Sequence, residues 1–124
     1  MLKLHRERVL LVEQADGRDM LTTALEQGGL KVHLANDGES ALTLALAHAP
    51  AVIIADIDLP QMDGWDLARR LRKVYGSAIR LVAMTSLDNP DDRAHSMEAG
   101  FNAYLVKPIL PAQVQDTIRR LLAA

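Results

Sequence analysis

Four short apolar runs, each stopping abruptly on polar groups, restrict what this chain can fold into. Val9-Leu10-Leu11-Val12 runs into Glu13 and Gln14, and Val52-Ile53-Ile54-Ala55 into Asp56 and Asp58. Residues 79–84 stop on Thr85 and Ser86, and residues 102–106 on Lys107 and Pro108. Continuous aliphatic runs of this length, bounded by turn residues, read as strands covered on both faces. A weaker alternating segment, Lys31-Val32-His33-Leu34-Ala35, adds a fifth strand. The five lie roughly 20 to 27 residues apart, which leaves room for one helix between neighbours. That alternation implies a parallel sheet with helices on both faces and right-handed crossovers.

The intervening segments carry helix signals. The first helix is expected to bury Met20, Leu21, Ala24 and Leu25 and to stop at Gly28-Gly29. Asn36-Asp37-Gly38 makes a turn and can cap a second helix, 39 to about 48, whose Ala and Leu content on most sides predicts deep burial. Pro50 marks its end. A third helix runs from near Gly64 to about Tyr75, burying Trp65, Ala68, Leu71 and either Val74 or Tyr75. Its outer side carries Asp66, Arg69, Arg70, Arg72 and Lys73, and Gly76-Ser77 breaks it. Asn89-Pro90 opens a fourth, with acidic residues in its first turn and only Ala94, Met97 and Phe101 as an inward face. Gly100 closes it. Pro111 opens a last helix with Val114, Ile118, Leu121 and Leu122 inward.

Composition removes several classes of function. A chain of 124 residues suits one domain with a real core. It has no cysteine, so disulfides, thiolate metal sites and cysteine nucleophiles are excluded. A net charge of −2 provides no field to attract nucleic acid, and the basic outer side of the third helix reads as a solvated face. No apolar segment approaches the roughly 20 residues that span a bilayer. The N-terminus interleaves charges with a strand-like run, unlike a signal peptide, so the chain is read as cytoplasmic with no membrane partner. His5, His33, His48 and His95 share no metal-ligand spacing and are read as structural, while Trp65 and Phe101 are read as core or near-core.

In a parallel sheet all strand C-termini share one edge, where open α/β folds keep their ligand crevices. Glu13, Gln14, Asp56, Asp58, Thr85, Ser86, Lys107 and Pro108 would stand there together. Carboxylates, a hydroxyl and a lysine suit a hard cation plus a phosphoryl group, since carboxylate oxygens hold Mg²⁺ while hydroxyl and ammonium bind phosphate oxygens.

With those residues in place, the chain resembles the receiver domain of two-component response regulators over essentially its full length. The acidic ending of LLVEQ, the block ADIDLPQMDG, the pair AMTS and the segment AGFNAYLVKPI carry the resemblance. It implies a flavodoxin-like doubly wound (βα)5 fold with strand order 2-1-3-4-5, with a receiver domain over 7–124 and a short extension over 1–6. It also implies a non-enzyme signalling module of a phosphorelay. Asp56 would be the phosphoacceptor, taking the group from a phosphohistidine of a sensor histidine kinase or phosphotransfer protein. Glu13 and Gln14 would stand where the family keeps its Mg²⁺-binding acidic pair, with Asp56 and the Asp58 backbone carbonyl as further ligands. Thr85 would bind the phosphoryl group, Tyr104 would report its movement, and Lys107 would pair with the phosphorylated carboxylate. Pro60 and Gly64 would shape the adjoining loop, and Pro108 would follow a cis bond. The face made by the fourth helix, fifth strand and fifth helix, with Arg93, Glu98, Asn102 and Arg119, would be available for a homodimer.

Gln14 departs from that pattern. Glutamine keeps a carbonyl oxygen but removes one negative charge, so weaker Mg²⁺ binding is expected, with the longer Glu13 compensating in part. A pseudo-receiver that docks partners without phosphorylation is the alternative. Two other readings fit less well. The pair Asp56-Ile57-Asp58 resembles the nucleophile and acid of haloacid-dehalogenase-type phosphatases, but it lies on the third strand and is followed by Leu59-Pro60. A flavin-binding domain would need a hydroxyl- and glycine-rich loop after the first strand, where Glu13-Gln14-Ala15-Asp16 is acidic.

Overall fold

The structure, a computed structural model, describes residues 3–14, 18–86 and 89–123; Ala15 and Asp16 of the acidic loop lie outside them. In chain order the elements are β1 (His5–Val12), α1 (Arg18–Gln27), β2 (Lys31–Ala35), α2 (Gly38–His48), β3 (Pro50–Asp56), α3 (Gly64–Tyr75), β4 (Arg80–Thr85), α4 (Pro90–Ala99), β5 (Ala103–Val106) and α5 (Pro111–Ala123), with a 3-10 turn over Gly76–Ala78. The strands form one parallel sheet in the order β2-β1-β3-β4-β5. This is the flavodoxin-like doubly wound arrangement, with its crossover point between β1 and β3.

The alternation of side chains along each strand divides the interior in two. Leu10, Ile53, Leu81 and Ala83 point to one face, where Ala41 and Ala45 of α2, Leu67 and Leu71 of α3 and Ala99 of α4 cover them. Val9, Leu11, Val52, Ile54, Val82 and Met84 point to the other, under Leu21 and Leu25 of α1 and Val114 and Ile118 of α5. All seven residues of β3 are buried, as a central strand paired on both edges requires.

The expectations for α1, α2 and α4 need correction, and the alternative left open in α3 is decided. Met20 is 54% exposed and Leu46 is 68% exposed, so α1 buries only Leu21, Ala24 and Leu25, and α2 is amphipathic through its alanines and not buried on most sides. In α3, Tyr75 turns inward and Val74 outward, and Leu67 joins the core. In α4, Ala94 and Met97 are exposed, and the buried residues are Ser96 and Ala99.

A polar anchor explains the last case. Ser96 accepts the Trp65 indole N–H at 2.9 Å and donates to the Asp92 carbonyl at 2.8 Å, while His95 stacks on the Trp65 ring at 4.3 Å. A helix held by a hydroxyl and an aromatic stack shows no apolar stripe. Its ends are nevertheless where the sequence puts them: Asn89 accepts from the Asp92 N–H at 2.8 Å, and Gly100 takes the left-handed conformation at φ 118°.

Arg72 is the other correction, since it leaves the outer side of α3 and folds under its end. Its guanidinium donates to the carbonyls of Gly100, Gly76 and Ile79 and to Asn102 Oδ1, at 2.6 to 2.9 Å. Asn102 Oδ1 also accepts the Leu81 N–H at 2.8 Å. One side chain thus ties together the end of α3, the start of β4 and the turn into β5. No helix among the described residues is long and apolar enough to cross a membrane.

Candidate functional site

The ends of β1, β3 and β5 bring three charged side chains into contact. Lys107 Nζ lies 2.7 Å from Asp56 Oδ2, and 3.1 and 3.0 Å from the two carboxylate oxygens of Glu13. Glu13 is 1% exposed and Asp56 8% exposed, so both carboxylates are largely shut off from bulk water. The other Asp56 oxygen, Oδ1, accepts the Asp58 backbone N–H at 3.0 Å, which fixes the carboxylate at both ends.

Electrostatics follow from that crowding. Burial pushes the Glu13 carboxyl above its ordinary value; Lys107 opposes this in part, and the neighbouring Asp56 carboxylate adds to it. Burial works against the Lys107 ammonium too, but its hydrogen bonds to Asp56 and Glu13 outweigh that and raise its pKa. One ammonium facing two carboxylates leaves an excess of negative charge when both are ionised. In that state the excess charge would favour a further cation beside the cluster.

The surrounding backbone holds the groups in place. Lys107 N donates to the Thr85 carbonyl at 2.7 Å, and Ile57 N to the Met84 carbonyl at 2.9 Å, so the loops after β3, β4 and β5 are laced together. Thr85 is buried at the end of β4. Gly64 has a spatial reason to lack a side chain, because a Cβ there would lie 2.7 Å from the Asp56 carbonyl oxygen and from Ile57 Cα. Pro60 is exposed on the same loop, where Gln61 takes a positive φ of 67°. The Lys107-Pro108 bond is cis. Tyr104 is buried, with the Arg93 guanidinium 4.5 Å above its ring.

Two expected metal-site residues lie at the rim: Gln14 and Asp58 are both exposed. Among the described residues no three His, Cys, Asp or Glu side chains are grouped to hold a metal. The carboxylates at the cluster are the two of Glu13 and Asp56. That fits Mg²⁺, which takes one or two carboxylates together with waters and phosphate oxygens.

The chain matches the response regulator receiver domain family over residues 9–119. It belongs to that family. Among its relatives, a probable transcriptional regulator of Guillardia theta, ycf27, is 36% identical over 118 residues, which are 94% of this chain and 46% of that protein. The chain spans about half the length of the transcriptional regulators it matches. An uncharacterized 14.6 kDa protein of Leptolyngbya boryana is 33% identical, with 100% of this chain and 96% of that protein aligned. Among solved structures, a putative response regulator from Chloroflexus aurantiacus superposes with a TM-score of 0.89 at 30% identity, covering 98% of this chain and 100% of that one. The receiver domain of sensor histidine kinase PA1611 from Pseudomonas aeruginosa superposes at 0.86 with 29% identity, covering 95% and 98%, and holds a magnesium ion in its active-site cleft.

Sequence reasoning about this receiver domain missed Arg72, Ser96 and the tight contact between Gly38 and Met62. None has a local signal. Arg72 stands in a run of cations, Ser96 in the middle of a polar helix, and Gly38 in what looks like an ordinary turn.

Proposed function

We propose that this chain is a phosphoacceptor module of a two-component phosphorelay, with Asp56 as the residue that carries the phosphoryl group. The observation that supports this best is the Lys107 contact to a nearly buried Asp56 carboxylate, with Glu13 beside it. An Asp56 oxygen attacks phosphorus, the P–N bond to the donor imidazole breaks, and that bond's electron pair leaves on the imidazole. The product is an acyl phosphate on Asp56. Lys107 neutralises charge on the transferring group, and the Asp58 N–H orients the nucleophile by holding Oδ1. The Thr85 hydroxyl binds a phosphoryl oxygen and Tyr104 responds to its movement. Glu13, Asp56, the Asp58 carbonyl and Gln14 would hold Mg²⁺, which when bound supplies further charge neutralisation to the phosphoryl oxygens.

The donor is a sensor histidine kinase or a phosphotransfer protein, and the face of α4, β5 and α5 serves a partner or a second copy. Within that face Arg119 pairs with Asp116 at 2.7 Å, and Asn102 engages Arg72.

Incubation with a small acyl-phosphate donor across a Mg²⁺ series, read by intact mass, tests the proposal. A single phosphoryl adduct is expected, absent in Asp56→Asn. An adduct that persists in that variant would sink the assignment of Asp56. Gln14→Asp, which restores a carboxylate at the rim, is expected to lower the Mg²⁺ requirement on the order of tenfold, roughly 1.4 kcal/mol. An unchanged requirement would show that Gln14 does not weaken the metal site.

A further inference from the structure

The turn between β2 and α2, residues 36–38, contributes no side chain to the Lys107 cluster, yet it touches both neighbouring loops of the crevice. On one side Asn36 Oδ1 accepts a hydrogen bond from Arg18 Nη1, and the same nitrogen donates to the Glu13 carbonyl at 3.4 Å. The Glu13 N–H in turn donates to the Ala35 carbonyl at 3.1 Å, at the root of the turn. On the other side Gly38 lies against Met62, which belongs to the loop carrying Asp58 and Pro60.

That second contact is unusually close. A Cβ at Gly38 would lie 2.7 Å from Met62 Sδ, 3.1 Å from its Cβ and 3.2 Å from its Cγ. Met62 is 6% exposed and packed in the core below α2 and α3, so it has little freedom to swing aside. Gly38 is needed for space, since no positive φ is recorded there. As the first residue of a helix capped by Asp37, it would otherwise gain from alanine, the better helix former.

We infer that Asn36 and Gly38 are positioning residues: the turn is a brace that sets the distance between the loop bearing Glu13 and Gln14 and the loop bearing Asp58, and thereby the affinity for a divalent cation. The inference rests on the phosphoacceptor reading of the crevice. A spacing set from outside matters more here than in a site with three carboxylates. With a glutamine at one corner, the remaining oxygens bind a cation only when the loops hold them at the right separation. Gly38 acts through Met62, and Asn36 acts through Arg18.

The test is a Mg²⁺ titration of the full chain followed by amide chemical shifts of residues 56–64, alongside urea unfolding and phosphorylation by acyl phosphate. Gly38→Ala is expected to weaken Mg²⁺ binding about tenfold, the lower end of what loss of an outer supporting contact costs, with its urea midpoint close to wild type because the gain in helix propensity offsets the strain of the contact. Gly38→Ala combined with Met62→Ala is expected to recover most of the affinity, because the collision is gone. Asn36→Ala, which opens no cavity, is expected to weaken binding in the same direction. Wild-type affinity in both Gly38→Ala and Asn36→Ala would overturn the brace while leaving the phosphoacceptor reading standing, provided the adduct on Asp56 forms. A loss in Gly38→Ala that tracks a lowered urea midpoint, or that Met62→Ala fails to relieve, would also overturn it. Wild-type chain that neither shifts with Mg²⁺ nor forms the adduct would overturn the brace and the phosphoacceptor reading together.

Discussion

Two cations sit at opposite ends of the same sheet, and their surroundings differ in kind. Arg72, under the starts of β4 and β5, is surrounded by neutral acceptors: three backbone carbonyls and one side-chain amide. Lys107, beyond the C-terminal end of β5, faces two carboxylates. Burial and the nearby Arg80 lower the Arg72 pKa, whereas the carboxylates raise that of Lys107. Dipoles take up all of the guanidinium's N–H groups, so the Arg72 side chain keeps no donor for a ligand. The Lys107 cluster sets two carboxylates against one ammonium beside the exposed Gln14 and Asp58, which is the arrangement the proposed function draws on. One partly buried cation thus ties elements together through neutral acceptors, and the other faces a pair of carboxylates.

If the comparison is right, the two ends should come apart under mutation. The largest stability effect is expected from Arg72→Met. Three carbonyls and an amide oxygen lose a charged donor, and hydrogen bonds to charged groups contribute about 1.5–3 kcal/mol each, although water will reach some of the freed acceptors. A net loss of about 3 kcal/mol is expected, or roughly a 12 °C fall in melting temperature for a domain of this size. The folded fraction should still accept phosphate on Asp56. A variant that unfolds at the wild-type temperature would show that the Arg72 contacts are incidental.

Lys107→Met should reverse the pattern. Phosphorylation should be lost, while stability at pH 8 falls by about 2 kcal/mol, because two carboxylates then face each other without a cation. The sign of its pH dependence is set by those carboxylates. They repel only when ionised, so the deficit should shrink in acid as the Glu13 carboxyl, which burial pushes above its ordinary value, takes up a proton. In wild type the raised Lys107 pKa contributes stability that is complete below the ordinary lysine value of 10.5 and is lost as pH rises through the higher folded value. Urea unfolding at pH 8 and pH 4.5 measures the first effect. A deficit that grows in acid would contradict the charge assignment.

Sequence and structure agree where a signal is local or repeats. The five strands, the positions of Glu13, Asp56, Thr85 and Lys107 at four strand ends and the caps at Asp37, Asn89 and Gly100 each depend on near neighbours in the chain, and each stands where the sequence puts it. Leu46 and Met20 were misplaced because apolar character alone does not say which side of a short helix meets the sheet. Arg72 and Ser96 were missed for a different reason. Their partners are 28 to 31 residues distant, Gly100 for one and Trp65 for the other, and a polar residue satisfied across that separation looks like a surface residue in one dimension. The candidate site was readable because its charged groups close short, separate strands, while its supporting contacts come from the tertiary fold.

α4 lies between the two ends and offers a smaller test. Its hold on the protein is polar, so its N-cap should matter more than that of a helix with an apolar stripe. Asn89→Ala removes the acceptor for the Asp92 N–H and is expected to cost about 1 kcal/mol, read as a shift of the urea midpoint. A shift indistinguishable from zero would mean that Trp65, His95 and Ser96 suffice to hold α4.

The smallest effect is expected at a third kind of polar contact, where the groups have the same sign. His33 of β2 and His48 of α2 stack with ring centroids 3.7 Å apart, and His33 Nε2 is buried with no hydrogen-bond partner among the described residues. Burial lowers the His33 pKa, and His48, Lys31 and Arg8 lower it further. A histidine whose folded pKa is depressed contributes stability that is present above its unfolded value near 6.5 and is lost as pH falls toward the folded value. Wild type should therefore lose a little stability between pH 7.5 and 5.5, and His33→Phe, which keeps a stacking ring, should flatten that slope. An equal slope in the variant would place the titrating group elsewhere. A flattened slope would show that cations without an opposing charge have a third consequence in this fold: they neither tie elements together, as Arg72 does, nor face a pair of carboxylates, as Lys107 does, but make one edge of the sheet sensitive to acid.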